Sequence, residues 1–146
     1  MTLHLVKLCV GATSIADLAQ WQQERLAEQR RAREAPRIFH RTFQTPKRTA
    51  ELLDGGSLYW VIKGVIEARQ RLIGFDEGTR DDGTPCCLLL LDPAIVPVRP
   101  VPRRAFQGWR YLAAADAPPD LRGGTGDDLG AMSAKMRREL IDLGLL

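Results

Sequence analysis

The sequence predicts an α+β fold in a single domain over residues 1–146. A mixed or antiparallel sheet, strongly curved or closed into a small pseudo-barrel, would carry an N-terminal helix, a short middle helix and a C-terminal helix. Three observations lead there. Apolar runs at 2–10, 57–63 and 86–91 have the length of buried strands and are bounded by Gly, Pro and Asp. Helix signals, either capping residues or helically spaced apolar side chains, fall near 14–26, 46–53 and 133–143. With 146 residues and 45% hydrophobic content, the chain can bury one core and is too short for two ordinary domains.

Residues 2–10 are nearly all apolar, with Lys7 as the only charge, which predicts a central strand covered on both faces. Gly11 turns the chain, and Ser14 with Asp17 three residues on starts a helix in the manner of a capping box. Ile15, Leu18, Ala19, Gln22 and Leu26 form its narrow apolar stripe, with Trp21 beside it. The charged run 24–34 continues as a solvated face whose C-terminal cations suit the helix dipole. Pro36 ends that element, and 37–44 alternates as a strand, with Phe39 and Phe43 on one face and Ile38, His40 and Thr42 on the other. Thr45 as N-cap and Pro46 as first helical residue predict a short helix from 46 to 53 that stops at Gly55 or Gly56.

The stretch 54–71 organises the middle of the chain: a buried strand at 57–63, a break at Gly64, and a second strand that carries Arg69 and Arg71 and continues through Leu72, Ile73 and Phe75. Residues 76–84 are a polar hairpin loop with an Asp-Gly pair, and 86–91 a further buried strand. Pro97, Pro100 and Pro102 confine 95–104 to an edge strand or an extended arm. In 106–112, alternation puts Phe106, Gly108, Arg110 and Leu112 on one face and Gln107, Trp109 and Tyr111 on the other. A loop begins at 113, with a mobile part at 122–131, and Ser133 caps a last helix with Met136, Leu140 and Leu143 as its stripe.

Formal net charge is +3, and of 21 Lys and Arg only Lys7, Lys47, Lys63 and Lys135 are lysines. Arginine suits planar, bidentate contacts to phosphate or carboxylate, and it is also what a GC-rich genome supplies. Three cysteines without a C-x-x-C pair point to free thiols in a reducing compartment, and no leader or membrane-length apolar run is seen, so a cytoplasmic location without a membrane partner is expected. The two histidines, His4 and His40, lie in separate strands without carboxylates at ligand spacing and read as hydrogen-bonded structural groups. The acidic loop at 76–84 lacks the spacing of a calcium loop. No Gly-rich phosphate loop, nucleophile elbow or Cys/His pairing is present. No catalytic residue, metal or cofactor is therefore assigned, and the oligomeric state is taken as a monomer by default.

Aromatic rings interleaved with arginines stack and neutralise single-stranded nucleic acid. On that pattern the expected function is a nucleic-acid or nucleotide binding module, with RNA or a nucleotide as partner. Lys47, Arg48, Lys63, Arg69, Arg71 and Arg110 would hold phosphates, and Tyr59 and Trp109 would stack on a base. Lys47 and Arg48 at a helix start favour an anion there, unless they pair with Glu51 and Asp54. Trp109 and Tyr111 have a second reading, as core beside Trp60. Two other functions stand beside this one. The first is a small enzyme on a phosphorylated or carboxylated metabolite, with Asp54, Glu67 or Asp120 as acid or base. The second is a protein-interaction module using 97–104 as its arm. A deep pocket holding a carboxylate of raised pKa would favour the enzyme, and an open arginine groove with exposed rings the binder.

The run Thr45-Pro46-Lys47-Arg48, then 51–64 and Ala68-Arg69-Gln70, resembles an alphaproteobacterial family classed as domain-of-unknown-function 1489. Residues 106–112, 117–121, the opening 3–11 and the closing Leu143-Gly144-Leu145 match it too. The resemblance implies no activity, cofactor or catalytic residue. The element order alone is also similar to pseudo-barrel domains of the PUA and ASCH type, which bind RNA or modified bases.

Overall fold

In the computed structural model, which describes residues 2–104 and 106–121, the first half of the chain runs β1 (Leu3–Leu8), α1 (Ile15–Arg31), β2 (Ile38–Thr42), α2 (Thr49–Leu53) and β3 (Ser57–Ile62). The second half runs β4 (Val65–Thr79), β5 (Pro85–Leu91), β6 (Val96–Pro102) and β7 (Trp109–Ala113), then a 3₁₀ turn at Ala114–Asp116. The expected 122–131 loop and C-terminal helix lie outside the described residues. The seven strands form one mixed sheet in the order β2-β5-β4-β3-β1-β7, with β6 pairing β4 off that path. β1 and β3 are parallel, Leu5 opposite Leu58, and every other ladder among the described residues is antiparallel.

Strand β4 lets one sheet bend. Its first part pairs with β3 and β6 and its second part with β5, and the ladder shifts register between Ile66 and Ala68 and between Leu72 and Gly74. Bulges of this kind bend a strand and increase its twist. The sheet nevertheless stays open, because no ladder among the described residues joins the edge strands β2 and β7. Side chains bridge the gap instead. The Trp109 indole N–H donates to the Gln44 carbonyl at 2.7 Å, and the Tyr111 hydroxyl accepts from the Lys47 and Arg48 N–H groups at 3.1 and 3.2 Å.

Both faces of the sheet are covered. On one, Leu5, Leu58, Trp60, Ile62, Leu89 and Leu91 meet Leu18 and Leu26 of α1 and Leu52 of α2. On the other, Val6, Tyr59, Val61, Ile66, Val98 and Leu112 form a second cluster. β3 is buried along its whole length, as its unbroken apolar run requires. The cap of α1 is the expected one: Ser14 Oγ accepts the Asp17 N–H at 3.1 Å, and the Asp17 carboxylate accepts the Thr13 N–H at 3.0 Å.

Two glycines serve backbone geometry. Lys63 and Gly64 both have positive φ, 51° and 78°, between the paired residues Ile62 and Val65, which makes the two-residue turn whose twist matches a hairpin. At Gly56 a Cβ would sit 2.2 Å from the Leu3 carbonyl oxygen and 2.3 Å from that of Leu52.

Two element boundaries differ from expectation. Helix α2 starts at Thr49, with Arg48 as N-cap and no side-chain cap, and Pro46 is buried ahead of it. Lys47 and Arg48 have already given their N–H groups to Tyr111, so this tertiary contact replaces the first helical turn. Strand β4 extends to Thr79, since Asp76 and Glu77 pair with Leu88 and Cys87. The loop is thereby reduced to 80–84, closed by the Arg80 N–H on the Thr84 carbonyl at 2.8 Å.

Candidate functional site

Because β2 and β7 do not pair, the sheet leaves a cleft of about 630 Å³ between them, lined among others by Lys7, Arg41, Phe43, Phe106, Trp109 and Arg110. Register places Lys7 at its floor: in β1 it lies opposite Trp60 on one side and Trp109 on the other, on the face that α1 covers. Burial holds the Lys7 pKa below the ordinary lysine value. Among the described residues neither Lys7, Arg41 nor Arg110 forms an ion pair, and no carboxylate lines the cleft. A cation that is partly desolvated without a countercharge is costly, and an arriving anion offsets that cost.

The rings of the cleft are held by cations. Arg110 caps the Gln107 carbonyl at 3.0 Å and lies 5.5 Å from the Phe106 ring centroid, and Arg103 lies 5.6 Å from the same ring. Phe43, 73% exposed, carries the Arg80 guanidinium 3.8 Å from its centroid. Trp109 and Tyr111 pack against the core and hydrogen-bond the chain between β2 and α2, so the core reading holds for both while Trp109 also walls the cleft.

Behind the cleft, a cavity of about 190 Å³ lies between α1 and the sheet, lined among others by Cys9, Trp21, Gln22, Arg25, His40 and Trp60. The His40 ring meets Trp60 in a T-shaped contact, ring centroids 5.1 Å apart, and makes no side-chain hydrogen bond within the described residues, so the expected hydrogen-bonded role is replaced by a ring contact. Burial, then the charges of Lys7 and Arg25, push its pKa down to about 3. His4 does follow expectation, its Nδ1 accepting the Ser57 N–H at 3.0 Å. Burial raises the Cys9 thiol to about 11, which makes it a poor nucleophile.

The remaining predicted site residues lie elsewhere. Tyr59 is only 4% exposed, on the opposite face, beside Arg69. Arg69 grips Asp120 through two hydrogen bonds of 2.7 Å and donates to Ser57 Oγ at 3.1 Å. Arg71 is exposed opposite Ser57, and Lys63 sits in the hairpin turn. Arg48 pairs with Glu51, the alternative to an anion at the helix start, and stands 5.7 Å from the Tyr111 ring. Of the predicted set, only Trp109 and Arg110 line the cleft. Sequence reasoning missed Lys7, Arg41, Phe43 and Phe106 as a group. Lys7 had carried a signal, as the single charge in an otherwise apolar strand.

Among the described residues, Asp17, Asp76 and Asp82 have carboxyl pKa values below the ordinary range, held there by hydrogen bonds to Thr13, Arg37 and Thr84 respectively. No helix among the described residues is long and apolar enough to cross a membrane. No curated protein and no solved structure shows significant similarity to the chain. Every cleft and cavity residue lies within residues 5–146, the span matched by the sequence model of the family described as Protein of unknown function (DUF1489), and the chain belongs to that family.

Proposed function

We propose that the protein is a cytoplasmic nucleic-acid or nucleotide binding module that holds phosphate in the cleft between the two sheet edges. On this reading the curved sheet acts as a PUA-like pseudo-barrel whose unclosed seam is the ligand site. The observation that carries it is Lys7, a half-buried cation with no carboxylate partner among the described residues, flanked in register by two tryptophans. Arg41 and Arg110 add charge at the rim, and the exposed Phe43 ring offers a stacking surface. A single strand fits this arrangement better than a duplex, because stacking on a side chain needs an unpaired base. The enzyme alternative draws less support, since Asp120 is engaged by Arg69 and the shifted carboxylates favour the ionised form.

The test is the salt dependence of binding to a labelled single-stranded RNA 12-mer, by fluorescence anisotropy. Single-strand binding loses about 0.7 of log-log slope per phosphate contact removed. The Lys7→Gln/Arg110→Gln variant is expected to bind more weakly and to flatten the slope by about 1.4. An unchanged affinity and slope would refute the proposal.

A further inference from the structure

We infer that the cavity behind the cleft receives one planar heteroaromatic base of the bound strand, swung out of its stack, between α1 and the sheet. This rests on the cleft reading and adds where the base goes. The cavity and the cleft adjoin: Val10 borders both, and Lys7 at the cleft floor is close enough for its charge to act on His40 in the cavity. The approach is apolar and open, with Val10 83% exposed, Trp21 45% exposed on the cavity side and Phe43 73% exposed on the cleft side.

Size selects the ligand class. About 190 Å³ is roughly the share of six waters at ~30 Å³ each, room for a one- or two-ring heterocycle and below the ~300 Å³ at which sites for drug-sized ligands begin. The walls suit such a ring, with the Trp60 and Trp21 indoles and the side chains of Leu18, Ile38, Phe39 and Leu91. The polar groups suit its edge. The His40 ring has no hydrogen-bond partner within the described residues, and as a neutral imidazole it carries one donor and one acceptor on opposite sides of the ring, one of which can meet a polar group on the edge of a nucleobase. Arg25 is fixed at the cavity by its hydrogen bond to the Phe39 carbonyl at 3.2 Å and by the Phe39 ring 5.3 Å away. The Gln22 amide is held by its reciprocal hydrogen bonds with Gln70 at 2.7 and 2.8 Å.

The experiment compares a single-stranded oligouridine with an abasic strand of equal length, by anisotropy, on the wild type and three variants. The wild type is expected to bind the base-bearing strand at least about tenfold more tightly, the scale of one buried base stack. His40→Phe keeps a ring beside Trp60 and removes the hydrogen bonds, and Cys9→Met narrows the cavity independently of His40. Each is expected to reduce the preference several-fold while leaving abasic binding unchanged. Phe43→Ala, which removes the stacking ring of the cleft, is expected to lower the preference less than either cavity variant. Equal binding of both strands by the wild type would overturn the base pocket and leave the cleft reading standing. A preference that survives both cavity variants and disappears in Phe43→Ala would place the base on the surface and overturn the inference. Failure of both strands to bind would overturn the cleft reading and this inference together.

Discussion

Acid should destabilise this protein through His40, by an amount set by the surroundings of its ring. The imidazole titrates at its ordinary 6.5 in the unfolded chain and at about 3 in the fold, where burial and the charges of Lys7 and Arg25 oppose protonation. Below pH 6.5 the unfolded state therefore takes up a proton that the folded state refuses. The stability tied to His40 is fully present above pH 6.5 and is lost as pH falls from there toward 3. Each pH unit is worth about 1.4 kcal/mol, so pH 4.5 should cost about 2–3 kcal/mol, a large part of the ~5–15 kcal/mol of a typical domain. His40→Gln removes the titration. Urea unfolding followed by tryptophan fluorescence at pH 7.5 and 4.5 should show the wild type losing about 2–3 kcal/mol more than the variant between the two conditions. His4, also lowered by burial and by Arg69, shifts stability in the same direction but remains in both proteins, so the difference isolates His40. Equal acid losses in the two proteins would refute the account of His40 as a group buried in its neutral form.

Two further outcomes are expected. Gly56→Ala should cost at least about 3 kcal/mol in thermal unfolding, because the added carbon meets the backbone oxygens of Leu3 and Leu52, and neither can retreat without disturbing β1 or the end of α2. Gln70→Leu should cost about 2–4 kcal/mol by urea titration, because it orphans the Trp60 indole N–H, now 2.9 Å from the Gln70 side-chain Oε1, and the Asp92 backbone carbonyl, now 3.0 Å from the Gln70 Nε2.

Much of the fold was legible residue by residue. The apolar runs of β1, β3 and β5, the Ser14 cap with Asp17, the Gly64 turn and the alternation around Trp109 all act through a few neighbouring residues, and each appears where its pattern places it. The boundaries that moved did so under contacts remote in sequence. Tyr111 took the N–H groups of Lys47 and Arg48, 64 and 63 residues away, and α2 began later than its Thr-Pro signal; β5 supplied a ladder for Asp76 and Glu77, and β4 ran on.

The site was less legible, for the same reason. Cations and rings could be counted along the chain, but whether two of them share a cleft depends on which strands become neighbours. Parallel pairing of β1 with β3 and antiparallel pairing of β1 with β7 put Lys7 between Trp60 and Trp109, while the alternation of β3 and β4 turned Tyr59 and Arg69 to the other face. Local chemistry specifies strands, caps and turns because their energies come from adjacent residues. The cleft exists because two edge strands 71 positions apart, counted from His40 to Tyr111, meet without pairing, and strand partnership is a property of the folded sheet.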